Sequence, residues 1–419
     1  MFEAEFEPIM PNLERVMERV PIFSEVGLMR VVNGASPHTP DGNSMLGPAP
    51  GLRNFWLCCG ASLGIAQGAG SGKYLAQWMI YGASEINMFV VDPRRFGAYA
   101  GQTYTRAKSH EHYRYMYNLH LPGEEWPAGR PARVSPLYDK LKAKGAVHTE
   151  VYGWERPKWF SLDGRQEECG FRRNNVFEVV AEECQAVRER VGVMDVPSFA
   201  KYDVTGPDAE AFLNRVCANQ AARRDGGIVL AHMLTDNGRM QNEFTITRLT
   251  DDHFYVLCGA ASELRDFDLL NQARLDSEDV IITNITDEFS ILVVAGPRSR
   301  DLLSKITAAD LSNDHFRWLT GQKIEVAGVL LRALRVNYVG ELGWELHAPV
   351  ALLETLYDAV WAAGEEFGIA DFGAYAVNSL RMEKAYCGWG MDMTNEMTMI
   401  ETNMERFIKF DKGNFIGRE

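Results

Sequence analysis

The feature that constrains the fold most is a hairpin signal near the middle of the chain. Asn237-Gly238 separates two strand-like runs, and this dipeptide favours the positive φ angles of a two-residue hairpin turn. In the second run, Met240, Phe244 and Ile246 are predicted to share one face of a strand. The polar residues predicted on the opposite face are Gln241, Glu243, Thr245 and Thr247. A hairpin with one apolar face needs covering helices.

Strands and helices alternate along much of the chain. Further strands are predicted at 254–258, at 289–295 and, as one continuous element, from Leu334 through Leu346. Helices are predicted from apolar residues at helical spacing, at 13–20, 176–191, 352–361 and from Pro207 onward. Antiparallel strands with helices behind them indicate an α+β fold.

Length and charge restrict the class of protein. A chain of 419 residues is longer than one hydrophobic core usually supports, so we expect two or three domains. The 43 basic and 57 acidic residues leave a net charge of -14, which disfavours nucleic acid as a partner because it would repel a phosphate backbone. No apolar run is long enough to span a bilayer, so no membrane partner is expected.

Cysteine and histidine usage argues against a metal centre. The seven cysteines are an odd number without a CxxC pair, so we expect buried thiols rather than a disulfide framework or a zinc site. The nine histidines show no metal-ligand spacing, and His38 is interpreted as structural. The first ten residues lack the features of a secretory signal or a transit peptide. The predicted location is the cytoplasm, or the mitochondrial matrix in a eukaryote.

A glycine-rich stretch, 60–72, follows the apolar run 55–59 and precedes a predicted helix through Met79. It is not a phosphate loop, because Gln67 and Tyr74 occupy positions that require Gly and Ser or Thr. No GxGxxG dinucleotide fingerprint opens a βαβ unit either. Such a turn can present backbone amides and a helix amino terminus to an electron-rich group. Glycines required only for tight packing are the alternative.

Long segments resemble known families. HTPDGNSMLGPAPGLRNFWLCCGASLGIAQGAGSGKYLAQWM resembles the carboxyl-terminal segment of the sarcosine and dimethylglycine dehydrogenase family, of the D-amino-acid-oxidase fold. YTRAKSHEHYRYMYNLHLPGEEWPAGRPARVSPLYDKLKAKGA resembles its connecting module. LTDNGRMQNEFTITRL and VNYVGELGWELHAP are similar to the glycine-cleavage T-protein, an aminomethyltransferase. The resemblance implies an oxidoreductase tail at 1–103, a connecting module at 104–165 and a folate-binding domain at 166–419, truncated at both ends.

The resemblance implies a folate site with two carboxylates. Glu345 would accept two N–H groups of the pterin in a bidentate, charge-assisted bond, with Tyr338 beside the ring. Glu243 matches the catalytic Asp of the T-protein and would stabilise cationic charge near a folate nitrogen. Tyr255 and Gly259 would line the same pocket. The alternatives are that Glu345 and Glu243 only face water and that Tyr255 is a core residue.

The resemblance also implies contacts with FAD along the glycine turn. The residues concerned are Gly60, Ala61, Ser62, Leu63, Gly64 and Ile65. The family's Rossmann fingerprint lies outside the match, so we expect oxidation to be lost in this chain alone. Arg381 is interpreted as a structural residue, paired with Glu383 or a nearby carboxylate.

The resemblance implies a folate-linked oxidative demethylase of dimethylglycine or sarcosine, active in choline and betaine catabolism. FAD would oxidise an N-methyl group to an iminium, and tetrahydrofolate would capture the one-carbon unit as 5,10-methylenetetrahydrofolate. Two alternatives remain open at this point. One is a stand-alone folate-dependent aminomethyltransferase or demethylase, and the other is a non-catalytic folate-binding subunit that assembles with a separate Rossmann chain.

Overall fold

The computed structural model describes residues 6–32 and 34–419. Its α-helices are α1 (Met10–Arg19), α2 (Gly64–Tyr81), α3 (Gln102–Tyr115), α4 (Tyr138–Ala143), α5 (Phe177–Glu189), α6 (Ala209–Val216), α7 (Glu263–Ala273), α8 (Ser299–Leu303), α9 (Leu353–Gly364) and α10 (Ala374–Glu383). Its strands are β1 (Met45–Pro48), β2 (Trp56–Cys59), β3 (Ala146–Val151), β4 (Trp154–Phe160), β5 (Gly192–Asp195), β6 (Ala200–Thr205), β7 (Ile228–Leu234), β8 (Met240–Thr250), β9 (His253–Cys258), β10 (Ile281–Asn284), β11 (Phe289–Ala295), β12 (Gly321–Val326), β13 (Val329–Leu334), β14 (Gly343–Pro349) and β15 (Ala370–Asp371).

A five-stranded antiparallel sheet has the strand order β10-β6-β9-β8-β7. The predicted hairpin is its β7–β8 pair, and Gly238 in the turn has a φ of 79°. On one face Phe244, Ile246 and Val256 join the core formed with Phe212 of α6 and Leu270 of α7. The prediction of one apolar face covered by helices is therefore confirmed.

A six-stranded sheet has the order β12-β13-β14-β11-β5-β15, antiparallel except for the parallel β15–β5 pair. On its outer face Trp344 and Leu346 pack with residues of α8 and α9. Part of its inner face, including Ile291 and Val293, packs against α5 and α10. The rest of that inner face meets the five-stranded sheet.

The two large sheets face each other across a buried seam. Ile228, Tyr255 and Leu257 of one sheet share a core with Leu334 of the other. Thr247 was predicted on a polar face, yet it is fully buried. The prediction was wrong because the second sheet covers the side of the hairpin that the helices leave open.

The first part of the chain is built on the β1–β2 pair, with α2 packed against it. Buried charges join this part to the five-stranded sheet. The Arg94 guanidinium contacts Asp92 Oδ2 at 2.7 Å and Asp268 Oδ2 of α7 at 2.8 Å. The β3–β4 hairpin follows, and Leu137, Leu141 and Phe160 of this segment lie in the core of the six-stranded sheet.

Four expectations need correction. The strand predicted from Leu334 to Leu346 is two strands, because residues 335–342 leave the sheet as a loop before β14 begins. The glycine stretch is mostly helical, since α2 begins at Gly64. The helix expected from Pro207 begins at Ala209. Cys58 and Cys59 are exposed, because a two-stranded sheet has too few neighbours to cover both faces.

Most other elements agree with the sequence pattern. The strand expected at 289–295 is β11, and the helices expected at 176–191 and 352–361 are α5 and α9. The α+β class is confirmed. Among the residues that the structure describes, no helix has the length and apolarity needed to cross a membrane.

Candidate functional site

Strand alternation directs Glu345 into the space between the two large sheets. Its neighbours Trp344 and Leu346 point into the outer core, so Glu345 and His347 lie on the inner face of β14. The Glu345 side chain is 19% exposed, whereas His347 is fully buried. Glu345 thus faces a partly closed space rather than bulk water.

A chain of hydrogen bonds holds Glu345. His347 Nε2 lies 3.3 Å from Glu345 Oε2, and His347 Nδ1 lies 3.0 Å from the Tyr255 hydroxyl. Burial lowers the pKa of His347, although Glu345 opposes the shift. Burial also raises the pKa of Tyr255. Burial therefore favours the neutral imidazole, which has one N–H donor and one acceptor nitrogen.

Glu243 occupies a similar position on the other sheet. Its Oε2 lies 3.1 Å from Nε2 of His232, a fully buried residue that is its direct partner on β7. The Glu243 side chain is 21% exposed. The β8–β9 register pairs Thr245 with Leu257, and β9 ends at Cys258, immediately before Gly259. Each sheet therefore presents one carboxylate that a buried histidine orients.

Tyr338 and Tyr386 form a pair of stacked aromatic rings. Tyr338, in the loop between β13 and β14, stacks on Tyr386 with ring centroids 6.2 Å apart and an interplanar angle of 24°. Partial burial is the main cause that raises the pKa of Tyr338 to about 12, and Glu243 contributes in the same direction.

Arg381 of α10 contacts the backbone of Tyr386. Its guanidinium contacts the Asp392 carboxylate and donates to the Tyr386 carbonyl oxygen at 3.0 Å. Glu383 pairs with Arg188 instead. The interpretation of Arg381 as a structural residue paired with a nearby carboxylate agrees with this geometry.

The structure joins two of the predicted residues directly: Glu345 and Tyr255 both contact His347, and Tyr255 is buried behind the imidazole. Glu243 shares its face of β8 with Thr245 and Thr247 and therefore points toward the seam between the sheets. Tyr338 lies in the loop before β14, and Gly259 follows the end of β9. Sequence reasoning did not identify three residues of the site: His232, His347 and Tyr386. A signal existed for His347, because it stands two residues after Glu345 on a strand and must share its face.

The stretch from Gly60 to Ile65 lies elsewhere, at the junction of β2 and α2. Leu63 precedes α2 without a side-chain cap, so the first amides of the helix lack such a partner. Ile65 is fully exposed. A Cβ at the helix glycines would meet no described atom within 4 Å, at Gly64, Gly68, Gly70 and Gly72. Tight packing within this chain therefore does not explain these glycines, and an open helix end fits an electron-rich group.

The site holds carboxylates and aromatic rings but no arrangement for a metal. Within the described ranges, no group of three or more His, Cys, Asp or Glu side chains is placed to hold a metal ion. Two carboxylates beside stacked tyrosines can bind a planar ring with N–H donors and stabilise positive charge on it.

Family models agree with the resemblance noted in the sequence. A model described as the GCVT N-terminal domain matches residues 137–412. The chain belongs to this family. Models of the FAD dependent oxidoreductase and of its central domain match residues 2–78 and 81–135, ahead of the GCVT domain. The resemblance to an FAD-dependent oxidoreductase joined to a T-protein domain is confirmed.

Curated relatives match along the whole chain. Mouse mitochondrial dimethylglycine dehydrogenase is 39% identical over 100% of this chain and 49% of its own length. The mouse mitochondrial pyruvate dehydrogenase phosphatase regulatory subunit is 32% identical over 99% of this chain and 48% of its own length. Mouse mitochondrial sarcosine dehydrogenase is 31% identical over 100% of this chain and 50% of its own length. The chain thus spans about half the length of these relatives.

A solved structure supports the fold of the GCVT domain. The glycine cleavage system aminomethyltransferase T from Bartonella henselae matches with a TM-score of 0.58 and 21% identity, over 68% of this chain and 73% of that chain. At this level of identity the likeness shows the fold alone.

Proposed function

We propose that this chain binds tetrahydrofolate between its two large sheets and is the folate-handling part of an oxidative demethylase of N-methylglycines. The observation that carries the proposal is the pair of carboxylates, Glu345 and Glu243, each oriented by a buried histidine beside the Tyr338–Tyr386 stack. The relatives named dimethylglycine and sarcosine dehydrogenase support the same reaction class.

In this proposal Glu345 anchors the pterin. Its carboxylate accepts the adjacent N–H groups of the aminopyrimidine edge, a pairing that is roughly twice as strong as a neutral hydrogen bond. Tyr338 and Tyr386 would pack beside the ring, and Gly259 leaves open space at the end of β9. Tyr255 acts from behind through His347.

Glu243 holds the reacting end of the folate. A carboxylate near N5 or N10 orients the amine and stabilises the positive charge that develops as the one-carbon unit is captured, an effect of a few kcal/mol. Burial between two sheets excludes bulk water, and an iminium would otherwise hydrolyse to formaldehyde. The product would be 5,10-methylenetetrahydrofolate.

FAD is the second cofactor of the proposed enzyme. The open amino terminus of α2, with the stretch from Gly60 to Ile65, would lie against the electron-rich edge of the flavin. When bound, FAD supplies the oxidation of the N-methyl group. The partner that would complete this site is a Rossmann domain, either in the same polypeptide or as a separate chain.

We also propose the division of the chain and its location. The parts are an oxidoreductase tail at 1–103, a connecting module at 104–165 and the folate-binding part at 166–419. The mitochondrial relatives support the matrix as the location in a eukaryotic host, and the cytoplasm is proposed for a bacterial one.

A non-catalytic role is the second candidate. The relative named as a regulatory subunit of pyruvate dehydrogenase phosphatase matches 99% of this chain. A folate-binding regulatory subunit would bind the ligand without accelerating any transfer. The two candidates therefore differ in turnover, not in binding.

The test is isothermal titration of the purified chain with 5-formyltetrahydrofolate. We expect micromolar binding that weakens at least tenfold in Glu345→Gln, because the variant loses one charge-assisted acceptor. The matched control is Glu325→Gln, an exposed strand residue on β12, which should bind like the wild type. Absence of binding by the folded wild type would contradict the proposal.

A further inference from the structure

Two buried residues lie behind the Glu345 carboxylate: His347 on the same strand and Tyr255 on the other sheet. Glu345 Oε2 faces Nε2 of His347, and this imidazole has no exposed surface. Behind it, the Tyr255 hydroxyl contacts Nδ1 at 3.0 Å, with the two rings nearly perpendicular at 83°. Tyr255 belongs to the other sheet, so the contact joins the two sheets directly behind the carboxylate.

The Tyr255 ring is itself held in place. Arg332 of β13 stacks over it, with its guanidinium carbon 4.4 Å from the ring centroid. The same guanidinium makes two hydrogen bonds to Asp203 of β6, at 2.9 and 3.2 Å. Since Asp203 and Tyr255 are paired on neighbouring strands, the phenol is held by the register of one sheet and a cation from the other.

This arrangement decides which imidazole nitrogen carries the proton. A neutral histidine has one donor and one acceptor. The Tyr255 hydroxyl donates to Nδ1 because, among the described residues, its hydrogen has no other acceptor in the hydrogen-bond network. Nε2 then carries the hydrogen and donates to Glu345. With the opposite tautomer, a nitrogen lone pair would face the carboxylate and repel it.

We propose that Tyr255 and His347 are positioning residues for the pterin anchor: Tyr255 selects the Nε2–H tautomer of His347, which then fixes the rotamer of Glu345. The inference rests on the proposed folate function and deepens it. His347 occupies one lone pair of Oε2 and leaves Oε1 and the second lone pair of Oε2 for the ligand. The carboxylate is thereby held ready for two parallel N–H donors.

Three variants of the full chain test the proposal by titration with 5-formyltetrahydrofolate. His347→Leu removes the donor and should weaken binding about tenfold, the usual effect of losing one hydrogen bond to a charged group. His347→Gln places an amide nitrogen close to the position of Nε2 and should restore binding to within about threefold of wild type. Tyr255→Phe deletes a single oxygen and should weaken binding about threefold, because the tautomer is no longer selected.

A pair of matched ligands distinguishes a loss of positioning from general damage to the fold. Quinazoline folate analogues with and without the 2-amino group differ at the edge that Glu345 would bind. The wild type should prefer the amino compound, and His347→Leu should lose most of that preference while binding the desamino compound like the wild type. A variant that was merely misfolded would weaken both ligands equally. Should His347→Leu not fold, Tyr255→Phe and His347→Gln carry the test with the same ligands.

The outcomes separate this inference from the proposed function. Wild-type binding with unchanged affinity and preference in His347→Leu and Tyr255→Phe would overturn the positioning role alone. That role is also overturned if His347→Gln binds as weakly as His347→Leu. Failure of the wild type to bind either compound would overturn both proposals together.

Discussion

At the scale of single residues, the candidate site pairs each carboxylate with one buried histidine. Glu345 and Glu243 are both about one-fifth exposed, and both contact Nε2 of a histidine without exposed surface. They differ in what lies behind the ring. Nδ1 of His347 contacts the Tyr255 hydroxyl, whereas Nδ1 of His232 has no hydrogen-bond partner among the described residues. Glu345 therefore has a second hydrogen-bonded residue behind its histidine, and Glu243 does not.

Glu243→Gln separates binding from one-carbon transfer. We expect the affinity for 5-formyltetrahydrofolate to change less than about threefold, because the pterin anchor is intact. The rate at which the chain accelerates formation of methylenetetrahydrofolate from formaldehyde and tetrahydrofolate should fall about a hundredfold, since the neutral amide stabilises developing positive charge poorly. The measurement is stopped-flow absorbance, with Glu325→Gln as the control. Equal rates for wild type and Glu243→Gln would show that Glu243 has no catalytic role.

At the scale of secondary-structure elements, the buried Glu183 joins α5, the end of β4 and the start of α10. Glu183 of α5 accepts the backbone N–H of Phe160 at the end of β4 and that of Gly373, immediately before α10, both at 2.8 Å. It is 6% exposed. Burial raises its pKa from 4.5 to about 7, against the effect of those two N–H donors.

This raised pKa predicts a pH-dependent stability. A carboxyl whose pKa is higher in the folded state stabilises that state fully below its unfolded pKa, and the contribution disappears as the pH rises through about 7. The free energy of unfolding of wild type relative to Glu183→Gln should therefore fall by about 3 kcal/mol between about pH 4.5 and about pH 7.5.

Urea unfolding at several pH values measures this difference. The control is Glu182→Gln, which makes the same substitution at the exposed neighbouring residue on the same helix. A flat difference for Glu183→Gln would mean that the carboxyl titrates alike in the folded and unfolded states.

At the scale of the whole molecule, buried ion pairs join the front part of the chain to the part that the GCVT family model matches. Arg94 is 2% exposed and bonds both Asp92 and Asp268 of α7. On the same helix Arg265 Nε lies 3.6 Å from Asp92 Oδ2. The Arg265 guanidinium also donates to the Gln241 carbonyl oxygen at 2.9 Å, two residues before Glu243. The contact between the parts therefore continues to the strand that carries the second carboxylate.

Arg94→Met should destabilise the chain by about 3 to 5 kcal/mol, because it leaves buried carboxylates without a cation. The matched variant is Arg298→Met, whose half-exposed pair with Asp301 should contribute less than about 1 kcal/mol. Thermal unfolding followed by circular dichroism compares the two. Similar unfolding midpoints for both variants would show that the ion pairs of Arg94 do not stabilise the contact between the two parts of the chain.

Sequence alone was enough for features that depend on neighbouring residues. The turn between β7 and β8 has a positive φ at Gly238, which glycine adopts without strain, so the β7–β8 hairpin was predictable. Strand alternation placed Glu345 opposite Trp344 and Leu346 in the same way. The motifs around Glu243 and Glu345 also pointed to the GCVT family that the family model matches.

Only the tertiary structure decided what lies against each face. Nothing local in β8 shows that Thr247 is covered by a second sheet, or that the strand expected from Leu334 to Leu346 is interrupted by a loop that carries Tyr338. The contact between Tyr255 and His347 joins residues 92 positions apart. Local propensity acts over a few residues, whereas burial and hydrogen-bond partners across the seam depend on how the two sheets pack.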